Sequence, residues 1–162
     1  MPVLLSFLSL VSMDHNEILN RLAPCGIHCG ECFAFKGGDI SEHSKRLKGS
    51  LGNFDVYAER FVELLEEPVF MKYPAFKEML AYFSEAKCSG CRNEQCKLFK
   101  DCRVRACSEK KGVDFCFECD EFPCNNTGFD EHLNKRSVAI NKRIKEIGVE
   151  AYYEEVKGKA RY

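Results

Sequence analysis

Eleven cysteines supply most of the chemistry open to this chain of 162 residues. Eight of them crowd between residues 88 and 124: Cys88, Cys91, Cys96, Cys102, Cys107, Cys116, Cys119 and Cys124. Cys88/Cys91 and Cys116/Cys119 are Cys-x2-Cys pairs, a spacing that lets one tight turn present two sulfurs to a single tetrahedral ion. A second centre lies upstream in the run CGIHCGEC, where Cys25, Cys29 and Cys32 follow a Cys-x3-Cys-x2-Cys pattern. Gly26 and Gly30 there allow the backbone to bend round an ion. Three thiols need a fourth partner. His28 stands beside them in the same loop, where an ordinary polar loop histidine is the plainer reading. A ligand shared from the main segment would also complete the set and tie the two regions together.

Magnitudes favour a metal over an ordinary core in the 88–124 segment. Its apolar side chains are Leu98, Phe99, Val104, Val113, Phe115, Phe117 and Phe122, each worth about 1.5–3 kcal/mol when fully buried. Ordering backbone costs roughly 1–2 kcal/mol per residue, so these cannot hold the segment unaided. A structural zinc ion adds an apparent ~10–16 kcal/mol. The expectation is two zinc ions in this segment, with a third site near Cys25. Cys88, Cys91, Cys116 and Cys119 can close one site and leave Cys96, Cys102, Cys107 and Cys124 for another, but interleaved groupings are equally allowed. An iron–sulfur cluster or redox-active thiols are the alternatives. Radical S-adenosylmethionine enzymes hold a four-iron cluster with the same Cys-x3-Cys-x2-Cys spacing, but on a strand-rich partial barrel for which this chain shows no strands. Hydrolytic zinc is disfavoured, because it keeps an open position and prefers His or carboxylate ligands. The four histidines, His15, His28, His43 and His132, include no i, i+4 pair.

Formal net charge is −1, and two ions each held by four thiolates would take it to about −5. Nucleic acid is therefore an unlikely partner in spite of Lys97, Lys100, Arg103, Arg105, Lys110 and Lys111. Those cations are better read as local compensation for thiolate charge. Lys135, Arg136, Lys142, Arg143 and Lys145 read as a solvated helix face. Residues 1–12 are apolar but lack a basic n-region and are too short to span a bilayer, and Met13 can be the native start. An odd number of cysteines without an export signal implies a reducing cytoplasm, no membrane, and a protein partner as the leading class of ligand.

The elements that must position these thiols are helical. Asp14 and Glu17 form a capping-box pattern before a short helix that ends ahead of Pro24. Asp39 or Ser41 caps a helix carrying Ile40, Leu47 and Leu51. Asn53 caps the next, with Phe54, Ala58, Phe61, Leu64 and Leu65 inward. Pro74 opens a third, with Phe76, Met79, Leu80 and Phe83 inward. Arg103–Lys111 reads as a helix closed by Gly112. Phe129 to Ile147 reads as a long amphipathic helix stopped by Gly148, and Val149 to about Lys157 as the last. No alternation marks a sheet. The fold class is mainly α, a small helical bundle with an irregular cysteine-rich metal-binding lobe. It forms one domain over 1–162, with a helical part over 13–87, the lobe over 88–124 and C-terminal helices over 125–162.

The runs CGIHCGEC, CSGCR, DCRVRAC, EKKGVDFCFECDEFPC and KRIKEIGVEAYYEE resemble the prokaryotic cysteine-rich family catalogued as domain of unknown function 3795, from about Ala23 to Glu155. The resemblance implies a zinc-binding group from bacteria and archaea without an assigned activity. All eleven cysteines match its pattern, and residues 1–12 lie outside it.

Overall fold

The computed structural model describes residues 13–162, and the apolar leader at 1–12 lies outside them. Helix α1 spans His15–Arg21, and Glu17 accepts from the Asp14 amide at 3.3 Å as the capping pattern requires. Helix α2 spans Asp39–Leu51 with Gly38, not Asp39 or Ser41, at the cap. It packs on α4, Tyr73–Ser84, and buries Ser41 and Ser44 while Leu47 is exposed. Helix α3 spans Phe54–Leu64, with Asn53 at its cap position but making no side-chain cap bond. A 3-10 turn, Pro68–Lys72, links α3 to α4, in which Pro74 is the second residue.

Helix α5, Val104–Lys111, ends at Gly112, whose φ of 67° is the left-handed cap conformation. Helix α6, Glu131–Ile147, starts from Asp130, whose carboxylate accepts from the Leu133 amide at 2.8 Å. Gly148 separates it from α7, Val149–Val156. Among the described residues there is no strand, only isolated bridges pairing Leu22 with His28 and Phe35 with Cys88.

Two apolar clusters organise the packing. One joins Ile18 and Leu22 to Phe115, Ile144, Tyr152 and Tyr153, so α1, α6 and α7 close round the chain just ahead of Cys116. The other joins Ala23, Cys25, Ile27 and Cys29 to Val104 and Leu133. Thiols are thus part of the core. Gly26 shows how tightly the first cysteine loop lies on α6. Its φ is 83°, and a Cβ there would run into the Ile140 side chain. Gly26→Ala is expected to cost about 2–4 kcal/mol, combining left-handed strain with overpacking. A denaturant melt unchanged within 0.5 kcal/mol (roughly the effect of a neutral surface change) would show that the loop is not clamped.

The α2–α4 layer corrects the inward assignment of its apolar stripes. Leu64, Leu65, Phe76 and Met79 are exposed, as are Val56, Tyr57, Val69, Met71 and Tyr82. Phe54, Phe61, Phe70 and Tyr73 do meet one another, with ring centroids 5.0–6.1 Å apart. Periodicity tells which side chains share a face. It does not tell whether anything covers that face.

Candidate metal centre

The structure sorts the cysteines by place in the fold rather than by neighbourhood in sequence. Cys107, Cys116, Cys119 and Cys124 line one cavity of about 30 Å³. Cys107 comes from α5. Cys116 and Cys119 bracket a 3-10 turn, Cys116–Glu118, that is pinned on both sides. The Cys116 amide donates to the Pro24 carbonyl at 3.0 Å, and the Phe117 amide to the Asn141 side chain of α6, also at 3.0 Å. Glu118 accepts from the Asp114 and Phe115 amides at 2.7 and 3.1 Å. Burial, followed by the charges of Cys124, Cys107 and Cys119, pushes the Cys116 thiol up to about 12. Ionised thiols this close would repel one another.

The other seven cysteines surround two smaller cavities of about 20 Å³ each. One is lined by Cys32 and Cys88 together with Cys29, Cys91 and Cys96. The second is lined by Cys25 and Cys102 together with the same three. Cys88 is held by reciprocal backbone bonds with the first loop, its amide to Ala34 and its carbonyl from Lys36, both at 2.9 Å. The Cys91 thiol shares its surroundings with the thiols of Cys29 and Cys96. That sharing holds Cys29 down at about 7 and Cys96 at about 5, while Cys91 is driven upward.

Backbone amides also point at the sulfurs. The Gly90 amide donates to Cys88 Sγ at 3.4 Å. Ile27, Leu98 and Val104 likewise present amides to Cys25, Cys96 and Cys102, in each case two residues on. A neutral thiol is a weak acceptor, whereas a thiolate is a strong one. Among the described residues, no group of three or more His, Cys, Asp or Glu side chains stands at metal-holding geometry. The sulfurs meet instead as pairwise contacts round the cavities. Cysteine sulfur is the donor type that zinc takes, and Cys107, Cys116, Cys119 and Cys124 line one cavity together. Each cavity has room for about one water-sized body.

His28 takes no part in either set. It is 7% exposed, meets Tyr153 edge-on at 5.4 Å, and neither ring nitrogen has a partner among the described residues. Burial, then Arg21 and Arg161, lowers its pKa to about 4, so the ring is neutral. His28→Phe keeps the ring and removes two unpaired buried nitrogens. It should leave metal content unchanged and raise stability by about 1–2 kcal/mol, since an orphaned buried polar group costs ~1–3. Lost metal in that variant would make His28 a ligand.

Three of the cations interleaved with the cysteines are paired with carboxylates. Lys97, Arg105 and Lys111 pair with Glu94, Glu109 and Glu121 at 2.6, 2.8 and 2.7 Å. Arg161 instead lines both small cavities and donates to the His28 carbonyl at 3.2 Å. Tyr162 places its hydroxyl 3.7 Å from Cys32 Sγ. Arg92 is buried near Cys25 and Cys29, where its Nε donates to the Leu19 and Leu22 carbonyls, each at 2.8 Å. No local pattern marked Arg161, because only the tertiary fold brings it to the thiols.

No helix of the described residues is long and apolar enough to cross a membrane. No curated protein and no solved structure matches the chain. A family profile does match over residues 21–129, taking in every cysteine described above. The chain therefore belongs to the family described as Protein of unknown function (DUF3795).

Proposed function

We propose that the chain is a non-enzymatic, zinc-stabilised module that acts by presenting a surface to a protein partner in a reducing compartment. The observation that carries this reading is the four-thiol cavity of Cys107, Cys116, Cys119 and Cys124. Four thiolates neutralise a zinc ion and fill its tetrahedron, which leaves no position for substrate or water. Such an ion stabilises a fold and does not turn over a reaction. All eleven cysteines are unpaired, as a reducing compartment keeps them. The uncovered apolar face of α3 and α4 supports a role in protein contact better than the Asp120–Pro123 loop does, since Asp120 and Glu121 are engaged by Lys111. Pairing of Lys97, Arg105 and Lys111 with carboxylates weighs against a nucleic-acid face.

Cys119→Ser tests the reading. Zinc content should fall by one ion per chain, with a loss of at least ~3 kcal/mol in stability, because the remaining three thiolates hold the ion far more weakly. A variant with wild-type zinc and wild-type melting would remove the four-thiol site, and the structural module with it.

A further inference from the structure

We propose that residues 157–162 form a strap that closes over the thiols of the first cysteine loop and governs how fast small electrophiles reach them. The inference goes beyond the structural reading above and does not depend on whether those thiols hold zinc.

The backbone itself leads the chain there. Helix α7 is anchored by the buried Tyr152 and Tyr153 and ends at Val156. Lys157 leaves it with an extended ψ of 136°, and Gly158 turns the chain with a φ of 70°, which glycine adopts without steric cost. The segment then lies along the loop that carries Cys25, Cys29 and Cys32. The Gly158 amide donates to Glu31 Oε1 and Arg161 Nη1 to the His28 carbonyl, each at 3.2 Å. The Tyr162 hydroxyl accepts from the Phe33 amide at 3.4 Å and lies 3.7 Å from Cys32 Sγ. Its ring packs on Phe33 with centroids 6.3 Å apart, and Arg136 of α6 donates to the Arg161 carbonyl at 3.2 Å. Arg161 is thereby held as a wall of both small cavities.

The contrast between cover and covered makes this segment a strap. Residues 157–160 are exposed and Tyr162 is 70% exposed, so the segment is held by surface hydrogen bonds and one ring contact. Such segments open locally without unfolding of the whole. Beneath it Cys29 and Cys32 are only 4% and 8% exposed. The cavity of Cys107, Cys116, Cys119 and Cys124 takes no lining residue from the strap. One molecule therefore carries both a strap-covered set of thiols and a reference set.

The experiment treats the full chain, purified under reducing conditions, with iodoacetamide and reads alkylation at each cysteine by mass spectrometry. Wild type is compared with Arg161→Ala and with a chain ending at Lys157. Alkylation of Cys29 and Cys32 should quicken about tenfold in both variants, as local closure is lost, while Cys107, Cys116, Cys119 and Cys124 keep their wild-type rates. Unchanged rates at Cys29 and Cys32 in the shortened chain would overturn the proposal. An equal rise at all eleven cysteines would overturn it too, since the segment would then hold the whole fold and not cover one loop. Failure of the zinc reading is seen separately, in the metal content of Cys119→Ser, which leaves the strap intact.

Discussion

If the proposed zinc is present, chelation is expected to unfold residues 88–124 and loosen α6 against them, with the smallest change over α2–α4. The reason is where the thiols lie. Cys25 and Cys29 are core members beside Val104 and Leu133, with Cys91, Cys102 and Cys116 packed against them. Each structural zinc contributes an apparent ~10–16 kcal/mol, as much as the whole stability of a typical domain, ~5–15 kcal/mol. No apolar reserve in the segment replaces it. Without metal, buried thiolates such as Cys116 repel one another or must take up protons. The α2–α4 pairing makes no use of sulfur. Hydrogen exchange before and after chelation measures this residue by residue. Unchanged protection across 88–124 in metal-free protein would mean that packing alone holds the lobe.

Phe115→Ala is expected to destabilise the fold by about 3–5 kcal/mol, the range for emptying a buried aromatic position. Phe115 is fully buried at the junction of α1, α6, α7 and the four-thiol turn, in one cluster with Ile18, Leu22, Ile144, Tyr152 and Tyr153. Its ring stacks on Phe117 with centroids 5.9 Å apart and carries the Arg92 guanidinium 4.8 Å above it. Removing the ring leaves Arg92 buried over a void, with one nitrogen already lacking a partner. That adds ~0.5–2 kcal/mol of lost cation–π attraction. Zinc content should remain at the wild-type value, since no ligand changes. A denaturation midpoint shifted by less than the equivalent of ~1 kcal/mol, no more than an average point mutant, would show that this junction is not the centre of the core.

Local chemistry made most of the helices legible. Glu17 behind Asp14, Gly112 after Lys111 and Gly148 after Ile147 act within one or two turns, so their signals survive whatever packs around them. Asn53 and Asp39 were harder to place, because a polar residue near a helix start can cap it or merely precede it. The α3 and α4 stripes misled for a different reason. Their periodicity describes each helix alone, and coverage depends on a neighbour that no local pattern names.

Thiol grouping divides in the same way. Spacing alone marked the eleven cysteines as a set and read the two Cys-x2-Cys pairs of the lobe as turns. It could not separate Cys88 and Cys91 from Cys116 and Cys119, nor join them to Cys29 and Cys32 across more than fifty residues of helix. Those choices belong to the bridge between Phe35 and Cys88, to Cys116 hung from Pro24, and to α6 lying under Gly26. By itself the sequence determined a helical, thiol-rich member of its family, because caps, turns and donor types are properties of a few adjacent residues. Only the tertiary structure decided which sulfurs share a cavity, that Arg161 faces them and that one apolar face stays uncovered, because each depends on contacts between segments far apart in the chain.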